Sequence, residues 1–275
     1  MTQHLALISE SQQVDISELL VVSAALQKQV SRDFGPIWGI DATVDAFAKL
    51  EDVPAGYWHV IVVDDVDGSE KGTHLLRNSQ PVGLVEFQSA QAWSLAASHE
   101  CLEMLCDPSC NRLVAGDSIL PQGGRVEFLV EVCDPCQHED YSYTVNGVRV
   151  SDFYTPRYFD PVGSSGVPYS FNKSITEPRQ ILERGYLSWR DPETNHFVRA
   201  DRIGGDLFWA DVGEAPPTAY GFRSFMDSIS ETQLRRLRKR VKRGGKKTGT
   251  RPEHHKRSSA ARARYLRSEL RSLRK

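Results

Sequence analysis

Apolar residues recur along this chain in two rhythms, and the change from one to the other marks its elements. Runs at 4–8 (HLALI), 57–63 (YWHVIVV), 73–76, 82–87 and 125–132 (RVEFLVEV) have the length and β-branched content of strands. Residues 40–47, after the Gly35-Pro36 break, also read as extended. Tyr141–Val145 and Val148–Val150 flank Asn146-Gly147, the two-residue turn that closes a hairpin. Helical spacing predicts a first helix from Asp15 to about Arg32, with Asp15 and Glu18 in a capping-box pattern. A second runs from about Ala90 to Cys106 and is stopped by Asp107-Pro108.

From Ser151 to about Tyr220 the chain is rich in Pro, Gly and aromatics and predicts an irregular subdomain packed on the sheet. Beyond Ser228 a helix from about Glu231 to Arg243, a Gly/Lys linker and a last helix from Ser258 to Leu273 are expected. The predicted class is therefore α+β: a domain over 1–150, the irregular subdomain over 151–228 and a basic helical tail over 229–275.

Composition adds little, because 40% hydrophobic and 25% charged residues describe an ordinary globular protein. The start, MTQHLALISESQQ, has neither a basic n-region nor an apolar h-region, so secretion is not expected. No apolar run approaches the roughly 20 residues of a transmembrane helix. Five cysteines, an odd number, point to reduced thiols in a cytoplasmic protein.

Charge changes the picture more. Residues 235–275 hold 18 Lys and Arg beside two acids, Glu253 and Glu269, giving +16. The remaining 16 basic and 34 acidic residues give 1–234 a charge of −18. Such a tail has the footprint of a phosphate-backbone binder, with Tyr265 its one aromatic and so little capacity for base stacking. Leu266, Leu270 and Leu273 on one side of the last helix equally suit an anionic membrane surface or an acidic protein groove. The simplest alternative is that the tail folds back on the acidic body.

The strongest chemical signal lies at 98–108, SHECLEMLCDP. At about 100° per residue, His99, Glu100, Glu103 and Asp107 share a helical arc about 100° wide. Leu95, Leu102, Leu105 and Cys106 lie to one side of it, and Ala97, Cys101 and Met104 to the other. Glutamates at i and i+3 are common on solvated helices. The apolar remainder argues instead that these carboxylates are buried, where a cation is the simplest way to stabilise them.

His99-Glu100-x-x-Glu103 resembles the HExxH helix of zincin metallopeptidases, with glutamate in place of the second histidine. The resemblance covers about residues 1–150 and includes the order of strands leading into the motif helix. It implies a zincin-like mixed twisted sheet, with His99 and Glu103 gripping zinc and Glu100 activating water as general base. The strand at 82–87, or that at 73–76, would line the cleft, where a peptide substrate adds as an extra strand. Glutamate at 103 makes the bound water less acidic and opens the site to manganese or iron. The string HExxE, then DP, then E-x-x-D-x-C is also similar to a pattern in bacterial proteins, matched here by Glu131, Asp134 and Cys136. Glu131 is the favoured third ligand, with Asp134 as alternative or support, while helix drift turns Asp107 partly away.

Further candidates are His74, facing the metal or polarising a carbonyl, and Tyr143 and Tyr154 as oxyanion donors. The alternatives for these are a strand-edge histidine and aromatic packing, and His59 reads as structural. Cys106, Cys110, Cys133 and Cys136 would form a thiolate zinc site if the helix and strand ends met. Cys101 and Cys106, at helical positions, are more simply small buried hydrophobes. The expected function is metal-dependent peptide hydrolysis. The alternative is a non-catalytic zincin-like scaffold whose site is structural and whose tail binds nucleic acid or another polyanion.

Overall fold

Leu5 to Ile8 are wholly buried in the centre of β1 (Gln3–Ser9), and the first sheet grows outward from them. A parallel strand buried on both faces needs such an unbroken apolar run. The structure, a computed structural model, describes residues 2–66, 72–121, 123–216, 221–229 and 231–241. Parallel to β1 on either side run β2 (Ala42–Phe47) and β3 (Trp58–Val63). The edge strand β4 (Gly72–Arg77) lies antiparallel to β5 (Gln80–Glu86), giving the order β2-β1-β3-β5-β4.

Helix α1 (Ile16–Lys28) starts where Asp15 accepts the Glu18 amide at 2.9 Å. Its reciprocal partner is used elsewhere: Glu18 Oε1 accepts from Trp93 Nε1 at 2.9 Å and ties α1 to α3 (Ala90–Cys106). The chain then widens into a π-helical turn over 29–34 before the short α2 (Gly35–Trp38), which ends on the left-handed Gly39. Leucines and valines of α1, α3 and the sheet share one core cluster.

The second sheet is antiparallel and six-stranded, in the order 239–240, 206–214, 196–203, 186–190, 125–129 and 113–117. It joins β6 (Leu113–Asp117) and β7 (Arg125–Leu129) to β10 (Tyr186–Arg190), β11 (His196–Ile203) and β12 (Asp206–Glu214). Strands from both sides of residue 150 thus share one sheet. The stretch expected to be irregular is so from 151 to 185 except for a one-turn helix at 156–159, and then forms three strands. β11 is buried on both faces, which erased the alternation that marks a strand. The hairpin β8 (Tyr143–Val145) and β9 (Val148–Val150) turns at Asn146 and Gly147, both at positive φ, as the sequence predicts.

At the C-terminal side come α4 (Phe222–Asp227) and α5 (Glu231–Leu237). The latter stops short of the predicted Arg243, because β13 (Lys239–Arg240) joins the edge of β12. There Arg238 meets Asp201 at 3.3 Å and Arg240 meets Asp206 at 2.7 Å, so the first turn of the basic tail folds onto the acidic body. The predicted helix 258–273 lies outside the described residues. No helix among the described residues is long and apolar enough to cross a membrane. The five cysteines are free and buried.

Candidate metal centre

Eleven of the 17 residues of α3 are buried, Glu100 and Glu103 among them, which removes the solvated-face explanation of the motif. The helix is held in register just before His99. Ser98 Oγ donates to Gln29 Oε1 at 2.8 Å and accepts the Ser151 amide at 2.9 Å. Gln29 Nε2 donates in turn to the Ser151 carbonyl at 2.9 Å, so this buried network leaves Ser98 and Gln29 well paired. On the sheet side, a Cβ on Gly83 would lie 3.0 Å from Met104 Sδ and 3.5 Å from Glu100 Cβ. Glycine there lets α3 settle onto β5 beside His74, which is paired with Gly83 in register.

His99 Nε2 lies 3.1 Å from Glu103 Oε2, one turn on, and 3.2 Å from Asp134 Oδ1. From β4, the fully buried His74 places Nδ1 3.1 Å from Glu100 Oε2 and 3.8 Å from Glu103 Oε2. The third contribution comes after β7, which ends at Leu129 rather than at the predicted Val132. The chain turns inward, the Cys133 amide donates to Glu103 Oε1 at 3.1 Å, and Glu131 and Asp134 are buried with it. Gly185 clamps this turn, since a Cβ there would lie 2.4 Å from the Pro135 carbonyl oxygen.

A fourth contribution was absent from the sequence reading. Arg223 of α4 is buried, and its Nη1 lies 2.8 Å from Asp134 Oδ2, 2.9 Å from Glu131 Oε2 and 3.3 Å from Glu103 Oε2. Its Nε lies 2.9 Å from Asp227 Oδ1, four residues on. The available signal was an Arg/Asp pair at i, i+4 between aromatic and Met neighbours, in a stretch with no other helix markers.

Five carboxyl groups (Glu100, Glu103, Glu131, Asp134 and Asp227) therefore surround three basic ones. Burial by itself pushes the Glu103 carboxyl up, but His99 and then Arg223 outweigh it and hold it well below the usual range. Burial pushes Glu131 well above that range, with Glu103 and Asp134 adding to the effect against the pull of Arg223. Burial opposes protonation of both imidazoles, yet Cys110 and Glu100 raise His74, and Glu103 and Asp134 raise His99. Glu103 thus keeps its charge by facing unlike ones across short distances, whereas burial wins at Glu131.

Other predicted residues lie elsewhere. α3 ends at Cys106, and Asp107 leaves the helical arc to accept the Arg112 amide at 2.7 Å and Ser109 Oγ at 3.0 Å. It fixes the loop after the helix and does not enter the cluster. The Tyr143 hydroxyl donates to Asp33 at 3.1 Å and accepts from Gln29 at 3.1 Å, apart from the cluster around Glu103. Tyr154 is buried and stacked on Tyr158 at 4.3 Å. His59 is half-buried in β3. Among the described residues, groups able to hold a metal contain one thiol, that of Cys133, so the four cysteines do not gather as a thiolate site.

A cleft of about 400 Å³ opens over the cluster, lined by Gly72, His99, Glu100, Asp134, Arg184 and Arg223 among others. β5 is interior, hydrogen-bonded on both sides, so it cannot accept an added strand. β4 is the edge, but Thr73 Oγ1 donates to Asp227 at 2.8 Å and Cys110 Sγ approaches the His74 carbonyl at 3.9 Å.

The donor set suits a divalent cation. His99, Glu103 and Cys133 place ligand atoms within 4.8 Å of one another, and so do His74, Glu103 and Glu131. Glu131 Oε1 and His74 Nε2 are buried without a hydrogen-bond partner of good geometry among the described residues, with the Cys110 thiol beside the imidazole. The predicted ligands His99 and Glu131 consequently fall into different groups, joined through Glu103. No family model matches the chain, and no curated protein or solved structure matches it.

Proposed function

We propose that this protein is a divalent-metal-dependent hydrolase of peptide bonds, with a zincin-like arrangement and Glu100 as its general base. The observation that carries the reading is the one-turn pair of His99 and the buried Glu103, 3.1 Å apart, with His99 and Glu100 lining the cleft above. His99 and Glu103 would hold the ion, with Asp134 and Cys133 beside them. An imidazole and carboxylate set suits zinc, with manganese or iron as alternatives. When bound, the ion supplies Lewis acidity toward the substrate carbonyl and toward water.

Glu100 is oriented for its role by two contacts. His74 Nδ1 holds Oε2 at 3.1 Å, and Oε1 lies against Gly72, where a Cβ would approach it to 2.7 Å. Glu100 takes a proton from the attacking water and returns it to the leaving nitrogen. Mixed sheet, antiparallel edge strand and a helix entered directly from β5 support the zincin-like reading.

The test is elemental analysis together with hydrolysis of a peptide library. Glu100→Gln is expected to keep its metal and to lose about 100-fold or more of activity. Full activity in that variant, or no stoichiometric metal in the wild type, would end the proposal.

A second reading rests on Arg223, which already faces Glu103, Glu131 and Asp134 within 3.3 Å. In that reading the cluster is a structural charge network, the protein is a scaffold, and its tail binds nucleic acid or another polyanion. A salt-sensitive DNA mobility shift lost on deleting 235–275, with no proteolysis, would favour it.

A further inference from the structure

Resting on the proposed reading for the ion at the cleft, we infer that the centre binds two divalent cations that share Glu103, the second in a fully buried nest of His74, Glu103 and Glu131. Zincin-type reasoning from the helix asks for one ion and one third ligand, and Glu131 was the residue expected to complete it. The fold does something else with Glu131. Its ligand atoms group with His74 and Glu103, whereas His99 groups with Glu103 and Cys133. One carboxylate is common to both groups, and a carboxylate can serve two cations through its oxygens.

Three observations make the nest more than a cluster of acids. His74 is an imidazole donor delivered from a different element, β4, and is wholly buried. Its Nε2 has no hydrogen-bond partner of good geometry among the described residues, and neither does Glu131 Oε1, which is also buried. Such orphans are costly in an apolar interior, and a cation that takes them as ligands removes the cost. The donor set of one imidazole and two carboxylates is that of zinc, manganese or iron sites rather than of an all-oxygen calcium site.

Arg223 fits the same inference as the internal counter-charge. Its Nη1 touches Glu131 Oε2 at 2.9 Å and Glu103 Oε2 at 3.3 Å, on the two carboxylates whose charge a buried ion would share. It also holds Asp134 at 2.8 Å and, through Nε, Asp227 at 2.9 Å. Guanidinium and ion therefore compete for Glu103 and Glu131. Occupation of the nest leaves Arg223 on the two aspartates.

The experiment is metal counting on the full chain equilibrated with Zn²⁺ and then dialysed, read as differences from wild type. Wild type is expected to exceed Glu131→Gln by one ion, His99→Ala by one and Glu103→Gln by two. Arg223→Met should tighten the weaker equivalent at least tenfold. In parallel, the wild type loaded with Mn²⁺ should show the electron paramagnetic resonance spectrum of a spin-coupled pair, a readout that needs no variant to fold. Loss of one ion in His99→Ala with none lost in Glu131→Gln, and an uncoupled six-line Mn²⁺ spectrum, would overturn the second site and leave the hydrolase reading standing. No ion bound by wild type or by Arg223→Met would overturn both.

Discussion

Glu103 on α3 and Asp152 just beyond β9 are both withdrawn from solvent, and the chain treats their charges differently. Glu103 lies among His99, His74 and Arg223, and these hold its carboxyl well below the ordinary range despite burial. Asp152 has neutral donors for company: its Oδ1 accepts the amides of Phe153 and Asn172, each at 2.9 Å, and the Ser170 and Ser174 side chains also bond to its carboxyl. Burial outweighs those bonds and pushes its carboxyl up to about 6. Neutral donors do not replace water for the Asp152 anion, whereas the cationic partners of Glu103 do so for its carboxylate. A carboxylate kept ionised in the interior is thus a chemical resource, and the fold places Glu103 as one beside the cleft residue His99.

Removing the cation from the first region is the severest way to break this contrast. Arg223→Met leaves Glu103, Asp134 and Asp227 without their guanidinium. It is expected to cost about 3–5 kcal/mol of stability in the presence of a chelator. Added Zn²⁺ should restore part of that loss, as followed by urea denaturation with and without the metal. A loss below about 1 kcal/mol in chelator would mean the cluster is not held by charge pairing.

The second region is tested through pH. The folded carboxyl of Asp152 sits near 6 against an ordinary 3.8, so the folded state binds its proton more tightly than the unfolded chain. Its favourable contribution is complete below about 3.8 and disappears as pH rises through about 6. Asp152→Asn keeps an acceptor for both amides and has no charge to bury. Its stability relative to wild type should improve by about 1.5 kcal/mol between pH 5 and pH 8, measured from urea midpoints at each pH. An unchanged difference would place Asp152 with the paired carboxylates instead.

The smallest effect belongs to an ion pair of the same chemistry at the surface. Arg240 meets Asp206 at 2.7 Å, as short as any contact of Arg223, but its side chain is 60% exposed. Arg240→Ala should change stability by no more than about 0.5 kcal/mol, measured in the same denaturation assay. A larger loss would show that β13 depends on this pair for its place on the sheet.

Much of the chain up to residue 150 was legible because local rules specify it. The α3 bounds, the Asp15 cap, the Asn146-Gly147 hairpin and the buried run of β1 follow from periodicity, capping and turn chemistry within a few residues. The second sheet was less so, although Gly204-Gly205, both at positive φ between two aromatic-containing runs, marked the β11–β12 turn. Strands buried on both faces lose the alternation that identifies them. Within the site, His99, Glu100 and Glu103 could be placed on one arc from spacing alone. Asp107 could not, because it follows the last helical residue, Cys106, and its backbone leaves the helical repeat.

The sequence by itself determined that a carboxylate-rich helix would be buried, since its apolar sides leave no solvated face for those acids. Only the tertiary structure decided which groups would face them. Arg223 and Asp134 are 89 residues apart, and His74 and Glu100 are 26 apart on different elements. Helical periodicity fixes the face a side chain presents, because it follows from the backbone repeat. The partner across that face is set by how strands pair and loops return, and those distances are not written in any local spacing.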